Sequence, residues 1–230
     1  MSLVEVIVLN QEDSQTAEAY GADRLELVTA IAEGGLTPSY GTIKTVVKSV
    51  SIPVMVMLRP HSYSFVYRKK EWEAMREDMK RIQELGAAGI VFGALTEQHT
   101  VDFEMLALIL EEANGLSVTF HRAIDETDPW KTCQSLCRSP FKIDRILTSG
   151  GKQSVPDGLD TIKRMMKETQ ITENPPIIMP GAGLNADNIG WIHQQLHAAE
   201  YHFGSAVRGN GDFKNPIRGD VLQQIKRIVN

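Results

Sequence analysis

The stretch SVTFHRAID (117–125) runs an apolar segment straight into His121, Arg122 and Asp125. An imidazole, a guanidinium and a carboxylate this close together are the parts of an acid/base site that also holds an oxyanion. Similar residues recur at the ends of other apolar runs. Arg59 closes IPVMVMLRP (52–60), and Ser149, Gly150 and Gly151 close DRILTSGG (144–151). Gly181 and Gly183 end PIIMPGAG (176–183), and Gly204 and Ser205 follow the apolar part of EYHFGSAV (200–207). Amides freed at glycine turns make concave anion nests. Arg59, Arg122 and these serines and glycines are therefore expected to bind a ligand, with Glu26, His121 or Asp125 moving a proton.

Glu5 in VEVIV and Glu26 in RLELV interrupt apolar runs. A carboxylate inside a buried strand is costly unless paired. Glu5 is read as either a structural ion-pair partner or an acid/base group, and Arg24, Arg59, His121 and Arg122 are available to compensate it. Adjacent strand residues face opposite sides. Only one of His121 and Arg122 can then point straight inward, unless the strand has already ended.

These residues need strands to carry them, and eight candidates occur: 3–10, 24–28, 52–60, 89–95, 117–123, 144–151, 176–183 and 200–207. Their near-continuous hydrophobicity suits a parallel sheet covered on both faces. The intervening segments read as helices. QEDSQTAEAYGA offers Asp13 or Ser14 as a cap and Gly21 as a stop. In KEWEAMREDMKRIQELGAAG, steps of three and four place Trp72, Met75, Met79, Ile82 and Leu85 on one face. Strand–helix alternation over 230 residues without a composition break predicts an α/β fold, a single (β/α)8 TIM barrel spanning 1–230. A doubly wound open sheet is the alternative. In a barrel, functional groups gather at the C-terminal ends of the strands, where the polar residues above fall.

A net charge of −5 and a pI near 5.7 argue against nucleic-acid or anionic-membrane partners. The opening MSLVEVIVLN lacks the basic start of a signal peptide, and no apolar run is long enough to span a bilayer. Cys133 and Cys137, the only cysteines, exclude a disulfide scaffold and fit a reducing cytosol. They stand four apart on a helix, so two soft thiolates could hold Cu(I). They are the weak metal candidates of the chain, as small buried residues are the commoner role. GAGLNA (181–186), with Glu200 further on, imitates a dinucleotide fingerprint but comes too late for a nucleotide-binding half-sheet, so no nucleotide cofactor is expected. HQQLH (193–197) pairs two histidines but lacks the glutamate of a metalloprotease helix. Lys152 alone follows a strand end, which is poor support for Schiff-base chemistry. A homo-oligomer is compatible with all of this.

Taken together, GADRLELVTAIAEGGLTPSYG, VMLRP, VTFHRAID, RILTSGG and PGAG resemble the copper homeostasis protein CutC family, in order and over nearly the whole chain. The resemblance implies a (β/α)8 barrel, a cytoplasmic location and a link to copper tolerance. The family often has cysteines where this chain has Val28 and Val66, and RPRGGDF where it has RPHSYSF (59–65). A copper site built from those thiols is absent here. Two expectations follow. One is a cytosolic copper-homeostasis protein that binds Cu(I) through Cys133 and Cys137, methionines or His121. The other is a barrel enzyme, of lyase or isomerase type, acting on a small anionic or phosphorylated metabolite.

Overall fold

Each apolar run forms a strand, trimmed where polar residues leave the ladder. In a computed structural model, which describes residues 1–230, these are β1 (Leu3–Val8), β2 (Arg24–Leu27), β3 (Val54–Met57), β4 (Gly89–Phe92), β5 (Ser117–Phe120), β6 (Arg145–Thr148), β7 (Ile177–Pro180) and β8 (Glu200–Phe203). Between and after them run α1 (Gln11–Ala19), α2 (Tyr40–Ser49), α3 (Lys69–Glu84), α4 (Phe103–Ala113), α5 (Pro129–Arg138), α6 (Val155–Gln170), α7 (Ile189–Leu196) and α8 (Gly219–Val229). The strands pair in parallel in the order β7-β6-β5-β4-β3-β2-β1-β8. A parallel bridge from Gly181, just past β7, to His202 on β8 closes the ring. This is a (β/α)8 barrel. An open doubly wound sheet would leave β7 and β8 as separate edges.

Alternation then divides each strand. Outward residues such as Val4, Val6, Leu25, Leu27, Ile90, Phe92, Phe120 and Tyr201 join the helices in a core of 50 buried residues. The apolar face read on α3 supplies Met75, Met79 and Ile82 to it, with Trp72 and Leu85 packed at its margin. No helix is long and apolar enough to cross a membrane.

The α1 cap differs from expectation. Asn10, not Asp13 or Ser14, caps the helix, its Oδ1 accepting from the Asp13 amide at 2.9 Å. Asp13 lies in the first turn, accepts from the Leu9 amide at 3.0 Å, and pairs with Arg208 at 2.6 Å. The cap must precede the first helical residue, and here the helix starts as soon as β1 ends.

Inside the barrel the two sides differ in kind. Val28, Met55, Met57 and Val91 form a small apolar cluster of their own. Beside them, β1, β2, β6 and β8 turn inward Glu5, Arg24, Glu26, Arg145, Glu200 and His202. Part of the barrel interior is therefore a stack of charged groups.

Candidate functional site

The stack is continuous from floor to mouth. At the bottom, Arg145 donates to Ser117 Oγ at 2.7 Å and to Glu200 at 2.9 Å. Glu200 and Glu5 both accept from the Arg24 guanidinium. Glu5 Oε1 meets His202 Nδ1 at 2.8 Å, and His202 Nε2 lies 3.4 Å from Glu26 Oε2. Burial would raise the Glu5 carboxyl, but Arg24 and His202 outweigh it and hold it down at about 2. Glu26 accepts no hydrogen bond of this kind and has only His202 at 3.4 Å. Burial, and then the Glu5 charge, push its carboxyl up to about 7 against His202 and Arg24. Burial lowers His202, yet the carboxylates of Glu26 and Glu5 overcome this and raise it.

The Glu26 shift makes a prediction. A carboxyl that titrates near 7 when folded and near 4.5 when unfolded binds more protons folded between those values. Its stabilising contribution is complete below the lower value and is lost as pH rises through the upper one. Glu26→Gln is expected to remove that decline. Urea midpoints of wild type and variant from pH 4.5 to 8 check this, and parallel profiles would mean that Glu26 titrates as in water.

At the mouth, β5 ends at Phe120, so His121 and Arg122 are no longer bound to alternate. Both line one cavity of about 220 Å³, together with Glu26, Arg59 and His202. His121 caps a 3-10 turn over Arg122–Glu126, and its Nδ1 accepts from the Ala123 amide at 3.1 Å. That contact puts the imidazole proton on Nε2, which is buried and has no partner in the protein. Burial, and next the Arg59 charge, lower the imidazole to about 3, so it is neutral near pH 7. The ring fits because position 93 is glycine, where a Cβ would sit 2.5 Å from Nδ1.

Arg122, half-exposed, donates through Nε to Asp125 at 2.8 Å and through Nη2 to Ser149 Oγ at 2.9 Å. It also lines two wider clefts of about 660 Å³ each that open above the cavity. Arg59 is mostly occupied. It ties down the β2–α2 loop through Glu33 O and Gly35 O at 3.1 and 3.2 Å, reaches Ser62 O at 3.0 Å, and stacks over Phe65. Only its Nε is left without a partner.

The expected anion nest after β6 is filled by the chain itself. Asp125 accepts from Thr148 Oγ1 at 2.6 Å, the Ser149 amide at 3.0 Å, Ser149 Oγ at 3.1 Å and the Gly151 amide at 2.9 Å. With Arg122 as well, these donors fix Asp125 as the organiser of this loop, in place of the proton-moving role expected for it. They also withdraw Ser149 and Gly151 from ligand binding through those groups. Gly150 serves packing, since a Cβ there would lie 2.4 Å from Gly158 O. The Gly181 amide continues the ladder to Thr148 O at 3.0 Å. Gly183, Gly204 and Ser205 do reach the mouth, lining the cleft beside His202.

Cys133 and Cys137 stand apart from the mouth, on α5, with Cys133 buried and the sulfurs 4.0 Å apart. In HQQLH, His193 is tied to the barrel, its Nδ1 3.0 Å from the Tyr201 hydroxyl. Sequence reasoning missed His202, Arg145 and Gly93. The alternation Glu200-Tyr201-His202-Phe203, polar then aromatic, was the available signal for the first of these.

Residues 2–207 match the profile described as the CutC family. A human protein named copper homeostasis protein cutC homolog is 40% identical over 216 residues, which span 93% of this chain and 77% of that protein. The mouse protein of the same name is 39% identical over 87% of this chain and 72% of its own. The CutC structure from Streptococcus agalactiae superposes with a TM-score of 0.80 at 32% identity, covering 89% of this chain and 98% of that one. Phosphoribosyl anthranilate isomerase from Thermotoga maritima, at 11% identity and a TM-score of 0.67 over 100% of this chain and 98% of its own, shares the fold alone. In sequence and structure alike, this chain belongs to the CutC family.

Proposed function

We propose that this protein acts in copper homeostasis in the cytosol, as a binder of Cu(I) between Cys133 and Cys137. The named relatives support the cellular role. The observation that carries the binding site is the 4.0 Å spacing of the two sulfurs. Metal–thiolate bonds of about 2.3 Å let two sulfurs on one ion stand up to roughly 4.6 Å apart. No group of three or more His, Cys, Asp or Glu side chains is arranged to hold a metal ion. A two-thiolate site suits a soft monovalent ion better than one demanding four ligands. The half-buried Cys137 gives access, and the hydrogen bond from Cys133 lowers its thiol, while that same contact and burial raise Cys133. A reducing cytosol keeps both as thiols.

An anaerobic Cu(I) titration against a strong chelator tests this. Wild type is expected to retain one equivalent, and Cys133→Ser and Cys137→Ser to lose it. No retention by wild type would sink direct copper handling.

A second reading, a barrel enzyme acting on a small anionic metabolite, is favoured by one observation. The buried Nε2–H of His121 has no partner, and the ring lines a cavity that Arg122 and Glu26 share.

A further inference from the structure

We propose that the barrel mouth catalyses proton transfer between neighbouring carbons of a small anionic hydroxycarbonyl compound, with Glu26 as the base and His121 Nε2–H as the donor to the carbonyl oxygen. This rests on the second reading above and gives it a substrate class and a reaction.

His121 supplies the first support. A buried donor without an acceptor is costly, and here the Ala123 amide, by donating to Nδ1, leaves Nε2–H unpaired on a ring that lines the cavity. A neutral imidazole suits an enolate, because it can hydrogen-bond the developing oxyanion without being a strong acid that surrenders its proton. Glu26 supplies the second. It lines the same cavity, is almost fully buried, and no hydrogen bond holds its carboxylate, only His202 at 3.4 Å. With Glu5, Arg24 and His202 around it, its carboxyl titrates near 7, where a base is both available and strong. Arg122 supplies the third. It stands where the cavity opens into both wider clefts, so an anion tail reaching either cleft passes its guanidinium. Ile7, Val28, Ile31 and Leu147 line the cavity beside Arg59 and His202, and this apolar part of the wall holds a short carbon skeleton.

The step balances within the site. The Glu26 carboxylate takes the proton from the carbon next to the carbonyl. The C–H electron pair becomes the enediolate double bond, and the carbonyl π pair moves to the oxygen that His121 Nε2–H stabilises. The Glu26 carboxyl then returns the proton to the neighbouring carbon, and the hydroxyl proton of the substrate passes to the former carbonyl oxygen. The substrate leaves isomerised, with no net oxidation, and the enzyme is restored. The anion is a phosphate or a carboxylate, both of which a guanidinium recognises.

Two measurements on the full chain test this. The first titrates 15N-labelled protein with 2-phosphoglycolate and with oxalate, planar intermediate mimics that carry the two anions. At least one is expected to shift the His121 Nε2 resonance, and Arg122→Ala, at a half-exposed position, to weaken that probe about tenfold or more. The second follows loss of the α-proton signal in D2O for dihydroxyacetone phosphate, ribulose 5-phosphate and hydroxypyruvate. Wild type is expected to exchange at least one of these faster than solvent does, and Glu26→Gln to slow that exchange about 10²–10⁴-fold. Exchange confined to the phosphates or to hydroxypyruvate identifies the anion. A His121 shift with no exchange of any compound overturns the proton transfer and leaves the second reading standing. No shift and no exchange overturns both. Exchange by Glu26→Gln at the wild-type rate overturns Glu26 as the base.

Discussion

Arg24→Met is expected to cost the barrel about 3–5 kcal/mol at pH 7, the range for breaking one partner out of a buried ion pair. For a chain of this size that corresponds to a fall in melting temperature of about 10 °C or more. The Arg24 side chain is 3% exposed and is shared between Glu5 and Glu200. Removing it leaves Glu5 with His202 and Glu200 with Arg145, each carboxylate one cation short in a medium that screens poorly. The methionine fills most of the volume, so the loss reads charge and not a cavity. Adding Glu5→Gln to the same background is expected to restore part of the stability, because the double variant buries one fewer unpaired charge. Thermal and urea melts of the single and double variants measure both effects. A loss below about 1 kcal/mol would mean that the pair behaves like a solvent-screened surface bridge.

Gly158→Ala is expected to be the most damaging small substitution near the mouth. Within a helix this change ordinarily stabilises by about 0.5–1 kcal/mol, because alanine restricts the unfolded chain more than glycine. Here a Cβ on Gly158, in the first turn of α6, would lie 1.9 Å from Ser149 O and 3.0 Å from Gly150 Cα. Those are backbone atoms and cannot rotate aside, so the start of α6 must move off the β6 loop. Overpacking of this kind costs about 1–3 kcal/mol and occasionally more. The sign of the effect is thus reversed from the helix norm. The disturbance should also reach the site, because Ser149 and Gly151 hold Asp125, and Asp125 holds Arg122. Urea midpoints give the stability, and limited proteolysis within 149–158 reports the loosened loop. A more stable variant with an intact loop would refute the close approach.

The barrel was legible in the sequence because parallel strands covered on both faces must be apolar almost throughout, and eight such runs stood out. Glu5 and Arg24 could be read as partners because each lies in a strand where a charge is costly. The rest of the stack could not. Glu200 stood at a strand start, where it read equally well as the far end of GAGLNA, and Arg145 followed an aspartate at another. The anion nest after β6 was misread for a different reason. Composition reveals which amides a glycine turn frees, but not that the carboxylate meant to receive them is Asp125, 24 positions before Ser149. The tautomer of His121 depends on a backbone amide two residues on, and its room on an absent side chain at Gly93; neither has a signature in residue types.

The charged part of the interior has a consequence for how the strands find one another. Glu5 stands opposite Arg24 on one side and His202 on the other. A slip of β1 by one residue would turn Val4 and Val6 inward against the arginine and swing Glu5 out beneath the helices. An apolar barrel could absorb some of that error, since valine facing valine is much alike in either setting. This one cannot, because a one-residue slip leaves unpaired charge on both faces of the strand. The stack thus penalises the wrong register, and it proofreads the assembly of β8, β1 and β2.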